Sequence, residues 1–203
     1  MSIRDGLSMP RLSWQPRRTA VLLSVIAGFF LAMPLAAQEA DVPVGLQIPL
    51  FLKVVSFDRQ LASRMNDELV VAVAYQGGNR ESVRAMEDAV RAIRSARGVP
   101  GMPELRVESI DLDKTSLVVE LDRRQVTILY VAPLRAVDIA IIADAARAAR
   151  VTTFTGTPRY LSDGLAVSVR YQGERPKLLI NVDAARLEGA EFSAELLQLA
   201  QVM

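Results

Sequence analysis

Between Glu68 and Tyr75 the chain reads ELVVAVAY, apolar at odd and even positions alike. A strand with one face in water alternates apolar and polar residues. One that is apolar on both faces must be covered on both, as inside a parallel sheet with helices above and below. Gln76-Gly77-Gly78-Asn79 then turns the chain, and Asn79 is placed to N-cap a helix carrying Val83, Met86, Val90 and Ile93 on one face, closed by Gly98 and Pro100. The cycle recurs. Leu105 to Leu112 reads as a strand, Leu117 to Asp122 as a short connecting segment, and Val126 to Val131 (VTILYV) as a second buried strand. Pro133-Leu134-Arg135 leads into a helix through Val137, Ile141, Ala145 and Ala148, and Val151 to Thr155 is the next strand, with Gly164 ending the turn after it.

The tail changes character. Leu165 to Tyr171 and Lys177 to Val182 flank Gln172-Gly173-Glu174-Arg175-Pro176, the pattern of a β-hairpin. Two short helices follow, one after Asp183 stopped by Gly189 and one after Ser193. Upstream, Val42 to Met65 is apolar at Leu46, Leu50, Val54, Phe57 and Leu61, which predicts a helix whose regular part begins at Pro49. The sum is an α/β fold of three layers: a mostly parallel sheet flanked by helices, a C-terminal antiparallel hairpin, and two short closing helices.

The first 37 residues read as a secretory signal peptide, with an uncleaved membrane anchor as the alternative that Pro34 disfavours by ending the apolar run short of about 20 residues. Arg11, Arg17 and Arg18 precede an uncharged run, Thr19 to Met33, and Leu35-Ala36-Ala37 supplies a cleavage site near Ala37. Residues 38–203 are then a single exported domain. The leader holds four of the 24 basic residues and one of the 23 acidic ones, so 20 and 22 remain and the formal net charge of the mature chain is −2. No basic stripe for nucleic acid or anionic lipid survives that subtraction. The chain has no Cys and no His. Disulfides, thiolate nucleophiles, Cys-ligated zinc, iron–sulfur clusters and an acylated lipoprotein anchor are thereby excluded, as are a Ser-His-Asp triad and an imidazole base. No cofactor motif is present, and the composition argues against an enzyme.

Three ends of predicted strands gather candidate binding residues, because ligands of open α/β sheets sit beyond the carboxyl ends of the strands. They are Gly77, Gly78 and Asn79 after the first strand, Arg135 after VTILYV, and Thr155, Gly156 and Thr157 after the next. Backbone N–H groups at a helix start suit an anion or carboxylate, and Arg135 adds a guanidinium fork. The plainer alternative is a turn plus an N-cap, and a second turn. Gly-Gly-Asn is not the dinucleotide fingerprint GxGxxG. Asp111, Asp113, Glu120 and Asp122 match no calcium loop and read as a solvated edge, without a metal. Arg84, Arg91, Arg94 and Arg97, interleaved with Glu81, Glu87 and Asp88, read as a solvated helix face, with a partner-docking surface as the alternative.

The last forty residues are more specific. Gly164-Leu-Ala-Val, then RPKLLINVDAARLEG from Arg175 to Gly189, then Phe192-Ser193-Ala-Glu-Leu196-Leu197-Gln-Leu199-Ala200 resembles the YfiR-like family. The matching features are a strand ending in Ile-Asn181, an Ala184-Ala185-Arg helix, Gly189 and a closing Ser-x-x-Leu-Leu-x-Leu-Ala. VTILYVAPL and VTTFTG fall in the expected places, so the resemblance runs from about Val44 to Val202. These motif residues read as structural, Asn181 by tying its side chain to local backbone. The resemblance implies a small periplasmic protein that binds the periplasmic domain of an inner-membrane diguanylate cyclase and holds it inactive. Release raises cyclic-di-GMP and favours biofilm. It also implies a homodimer as one state. Well-known members carry disulfides, so gating by that route is absent here. The leading segment, Val42 to Pro49 with Phe57-Asp58-Arg59, departs from the aromatic-rich helix common in the family. A second function class stays open, a periplasmic module that binds or senses a small ligand without a cyclase partner.

Overall fold

The computed structural model describes residues 41–96 and 104–203. The signal peptide, its cleavage near Ala37, Arg97 and the stop at Gly98 and Pro100 lie outside them. The ELVVAVAY run is strand β1, Glu68–Tyr75, paired in parallel with β2, Glu104–Asp111, on one side and β3, Ile128–Val131, on the other. β4, Thr152–Thr155, and β5, Val167–Gln172, continue the parallel sheet. β6, Arg175–Ile180, turns back antiparallel to β5, and β7, Gln201–Val202, adds in parallel to β6. The spatial order is β2-β1-β3-β4-β5-β6-β7. The chain steps outward from β1 to β2 and then back across to β3. The β1/β3 boundary is therefore the topological switch point of a doubly wound sheet. The hairpin is not the sheet's edge, as β7 lies outside it. Two residues are too few to show a strand periodicity.

Successive side chains of each strand point to opposite faces, and each face builds its own core. Leu69, Val71 and Val73, with Ile128, Tyr130 and Phe154, pack under helices α1 (Val44–Val55), α2 (Leu61–Arg64), α3 (Arg80–Ser95), α6 (Val182–Leu187) and α7 (Ala194–Leu199). Val70, Ala72, Ala74, Leu129 and Val131 pack under α4 (Leu117–Arg123) and α5 (Ile139–Ala149). The stretch from Leu117 is thus a helix rather than a plain connection.

The structure corrects two predicted helix faces. In α1 Leu46 and Leu50 point outward, at 51% and 36% exposure, while Ile48, Phe51, Leu52 and Val55 are buried. The helix is apolar nearly all round, so spacing alone does not choose its buried stripe. The sheet chooses the stripe holding Phe51, whose ring packs 5.0 Å from Phe154 and 6.1 Å from Tyr130. α1 also runs straight through Pro49 and stops at Val55, before a separate single turn at α2. In α5 Ile141 is 67% exposed and the buried residues are Ile139, Ile142, Ala143, Ala145 and Ala146, with Ala145 kept from the predicted face. In α3 the small residues Ser82, Ala85 and Ala89 lie deepest with Ile93, and Val83, Met86 and Val90 flank them half-buried. A helix wedged between the sheet and α1 needs small side chains at its closest approach.

Candidate functional site

The switch point opens a crevice whose walls are three strand-end loops, tied to one another by polar bonds. Gln76, just past β1, donates its N–H to Ser82 Oγ (3.0 Å) and accepts from the Arg135 N–H through its side-chain oxygen (3.0 Å). Asn79 caps α3 by accepting from the Glu81 N–H (3.2 Å). The buried Tyr160 hydroxyl accepts from Leu134 N–H (2.8 Å) and donates to Leu134 O (3.2 Å), which fastens the segment after β4 to the loop after β3. Ala136, next to Arg135, sits in the left-handed region at φ 52°, a conformation the surrounding bonds must hold.

Two adjoining lobes share Arg135 and Glu81. The first, about 720 Å³, is lined by Gln76, Gly78, Asn79, Arg80, Glu81, Arg84 and Arg135. The second, about 440 Å³, includes Arg135, Thr157, Pro158, Arg159, Val169 and Arg170. These volumes are in the range of small-ligand sites. Of the residues singled out in the sequence, Gly78, Asn79, Arg135 and Thr157 line the crevice. Gly77, Thr155 and Gly156 do not. Thr155 is buried and donates its hydroxyl to Val131 O (3.0 Å), and Gly156 backs onto the Gln47 side chain.

The amides expected to meet an anion are already occupied. Gly77 N–H donates to Asp111 Oδ1 (3.0 Å) and Gly78 N–H to Asp113 Oδ2 (2.7 Å). The chain's own carboxylates fill the Gly-Gly turn, so what the crevice offers an anion is arginine. Burial pushes the Asp111 carboxyl up, but the Lys114 ammonium and the amides of Asp113 and Gly77 outweigh it and hold it below the ordinary value. Glu120, from the same predicted cluster, is elsewhere. Hydrogen bonds from Arg123 and Arg124 take its carboxyl down to about 2. Among the described residues no three His, Cys, Asp or Glu side chains converge as metal ligands.

Sequence reasoning missed Arg80, Arg159 and Arg170, and it read Arg84 as part of a solvated face. Arg80 and Arg84 stand one turn apart right after the N-cap, a signal that was legible. Arg159 and Arg170 arrive from separate elements, and only the fold brings them here. Arg91 does behave as a solvated residue, paired at the surface with Asp88 (2.9 Å).

The motif residues of the tail lie away from the crevice. Asn181 caps α6 by accepting from Ala184 N–H (3.0 Å) and donates to Leu161 O (3.1 Å). Ala184, Ala185 and Leu196 are buried, and Leu197 and Ala200 pack at the margin of the same core. Gly189 adopts φ 85° and Gly164 φ 106°. Ser193 caps α7 at 3.4 Å, while Leu199 is 69% exposed. The tail is clasped to the leading segment: Arg59 N–H donates to Glu191 O (2.9 Å) and Ser193 N–H to Phe57 O (3.0 Å).

The fold and crevice define a class, a doubly wound α/β domain with an arginine-lined switch point. The chain belongs to the YfiR/HmsC-like family, whose model matches residues 79–201. No curated protein matches it. Among solved structures it is similar to an ABC domain from Streptococcus pneumonia in complex with L-Trp, at TM-score 0.57 and 11% identity, covering 79% of this chain and 62% of that one. It is also similar to a conserved domain protein from Vibrio cholerae, at TM-score 0.54 and 14% identity, covering 79% and 60%. A third is the ligand-free, open structure of CD0873, a substrate binding protein with adhesive properties from Clostridium difficile, at TM-score 0.52 and 12% identity, covering 80% and 60%. At such identities the likeness shows the fold. The chain spans about three fifths of the length of these structures.

Proposed function

We propose that this chain is a non-enzymatic periplasmic regulator that binds the periplasmic domain of an inner-membrane signalling protein, a diguanylate cyclase, and so modulates cyclic-di-GMP signalling. The observation that carries the reading is the family match over residues 79–201, which takes in every element from α3 to α7 and reaches the first residue of β7. Members of this family are periplasmic and regulatory, and they work with a membrane signalling partner. Residues 1–37 serve as the export signal, cut near Ala37, and no described helix is long and apolar enough to cross a membrane. Regulation of this kind needs only different affinities for two states of the partner. A coupling of about 1–3 kcal/mol shifts the equilibrium between those two states about 5–150-fold. Crosslinking in cells, followed by capture of the tagged protein from solubilised inner membranes and mass spectrometry, tests it. Recovery of one membrane protein with a cytoplasmic cyclase module is the expected result. Recovery of this chain alone, as a homodimer, or of a transporter overturns it.

A second reading, a periplasmic small-ligand-binding or sensing module without a cyclase partner, is favoured by the two-lobed crevice at the switch point. Thermal stabilisation of the purified protein by a solute, with no cyclase captured, is the outcome that selects it.

A further inference from the structure

Four arginines, Arg80, Arg84, Arg159 and Arg170, reach the crevice without an ion-pair partner among the described residues. Arg135, shared by both lobes, has only Glu81, at 3.7 Å with both side chains largely exposed. The contrast with the edge of the sheet is sharp. There Arg106 and Arg124 are spoken for by Glu68, Glu108 and Glu120 at 2.5–2.8 Å. Five guanidinium groups against Glu81 and Asp41 make a strongly positive mouth on a domain whose formal mature charge is −2.

Arg170 lines the smaller lobe with its head turned toward β7. Arg170 donates through Nη2 to Gln201 Oε1 (3.0 Å), but its Nε is shut off from solvent with no acceptor. Neither the α3 start nor the Gly77 and Gly78 amides supplies the site, since the chain's own side chains occupy them.

We infer that the switch-point crevice binds a small molecule carrying two anionic groups, phosphate or carboxylate, one in each lobe, with Arg135 forking between them. Arg80 and Arg84 hold the group in the larger lobe, and Arg159 holds the other. The Arg159 guanidinium is held over the Tyr160 ring at 5.4 Å, a stacked position that limits its freedom before binding. Planar forks match the paired oxygens of carboxylate and phosphate, and a neutral or cationic solute leaves the same five charges unmatched.

This deepens the ligand reading of the crevice and is independent of which membrane partner is captured. The experiment is a thermal melt and titration calorimetry of the purified full-length protein with inorganic pyrophosphate and with succinate, each against sodium chloride at matched ionic strength. Melting temperature is expected to rise with either dianion well beyond the salt control. Arg135→Ala, at a surface position where truncation spares the core, is expected to weaken binding about tenfold or more, and Arg135→Lys to recover only part of it. Arg159→Ala is expected to weaken binding as well. A melt that tracks ionic strength alone overturns the inference, as does equal binding by Arg135→Ala. Binding of a Glu-rich peptide or of anionic lipid vesicles, without either soluble dianion, also overturns it. Absence of dianion binding counts against the inference whether or not a cyclase is found, and its presence supports the inference even if none is.

Discussion

Thr153 gives both of its donors to one carboxyl: its N–H meets Glu188 Oε2 at 2.8 Å and its hydroxyl meets Oε1 at 2.6 Å. Glu188 follows α6, Thr153 lies in β4, and both are fully buried. The same hydroxyl accepts from the Ala166 N–H (2.8 Å), so this cluster joins the centre of the sheet to the family's C-terminal motif.

Burial pushes the Glu188 carboxyl up to about 8 from an ordinary 4.5, against the opposing pull of the Thr153 donors and of Arg147 and Arg64. The folded protein therefore keeps a proton that the unfolded chain releases. Stability from this group is fully present below about pH 4.5 and is lost as pH rises through about 8. Inside that window the slope approaches about 1.4 kcal/mol per pH unit. Urea unfolding at a series of pH values is expected to show the decline in the parent, and Glu188→Gln to flatten it. An identical slope in Glu188→Gln contradicts the assignment.

Asp58 and Arg64 form a buried ion pair, and Asp58 Oδ1 also accepts from the N–H groups of Gln60 (3.0 Å) and Glu191 (2.8 Å). Arg64 in turn donates to Arg150 O (2.9 Å). Asp58→Ala strands a buried guanidinium and is expected to destabilise by about 3–5 kcal/mol. Asp58→Leu combined with Arg64→Met removes both charges and is expected to lose less than Asp58→Ala alone. Chemical denaturation of the single and double variants measures the difference.

Gly156, flagged in the sequence as a ligand candidate, is required by packing. A Cβ there runs into the Gln47 amide, which is fixed at both ends: it donates to Val42 O (2.5 Å) and accepts from the Tyr130 hydroxyl (2.9 Å). Gly156→Ala is expected to destabilise by about 1–3 kcal/mol. Gln47→Ala alone leaves the Tyr130 hydroxyl without its acceptor, at about 1–3 kcal/mol. Because the truncated Gln47 makes room for the new methyl, the double variant is expected to fall short of the sum, as read from a double-mutant cycle.

The two helix caps of the tail motif differ in what they do. Asn181 holds both the Ala184 N–H and Leu161 O, while Ser193 makes one long bond at 3.4 Å. Asn181→Ala is expected to lower stability by about 1–2 kcal/mol and Ser193→Ala by about 0.5 kcal/mol. Asn181→Asp keeps the cap and loses the donor to Leu161, so its midpoint in denaturant is expected between those of the parent and Asn181→Ala.

Much of the architecture was legible because it depends on neighbours along the chain. The ELVVAVAY run has the observed limits of β1, Asn79 caps the helix it precedes, and the turn after Gln172 joins an antiparallel pair in register Gln172↔Arg175. Each of these rests on a local rule: continuous apolarity for a doubly covered strand, a side-chain oxygen for an orphan N–H, and glycine where the backbone reverses.

What escaped such a reading depends on residues far apart in sequence. An all-apolar α1 has no preferred face until the sheet supplies Tyr130 and Phe154 to meet Phe51. The Gly77 and Gly78 amides looked open to a ligand because Asp111 and Asp113, 34 and 35 positions away, are brought onto them only when β2 docks beside β1. Arg159 and Arg170 join Arg80 and Arg84 in lining a crevice that exists only once β1, β3, β4 and β5 lie in order. Periodicity and capping act over one or two turns of backbone, so local sequence decides which elements form. Burial and charge act through space, so the occupants of a buried face and the lining of a crevice are decided only when the sheet is assembled.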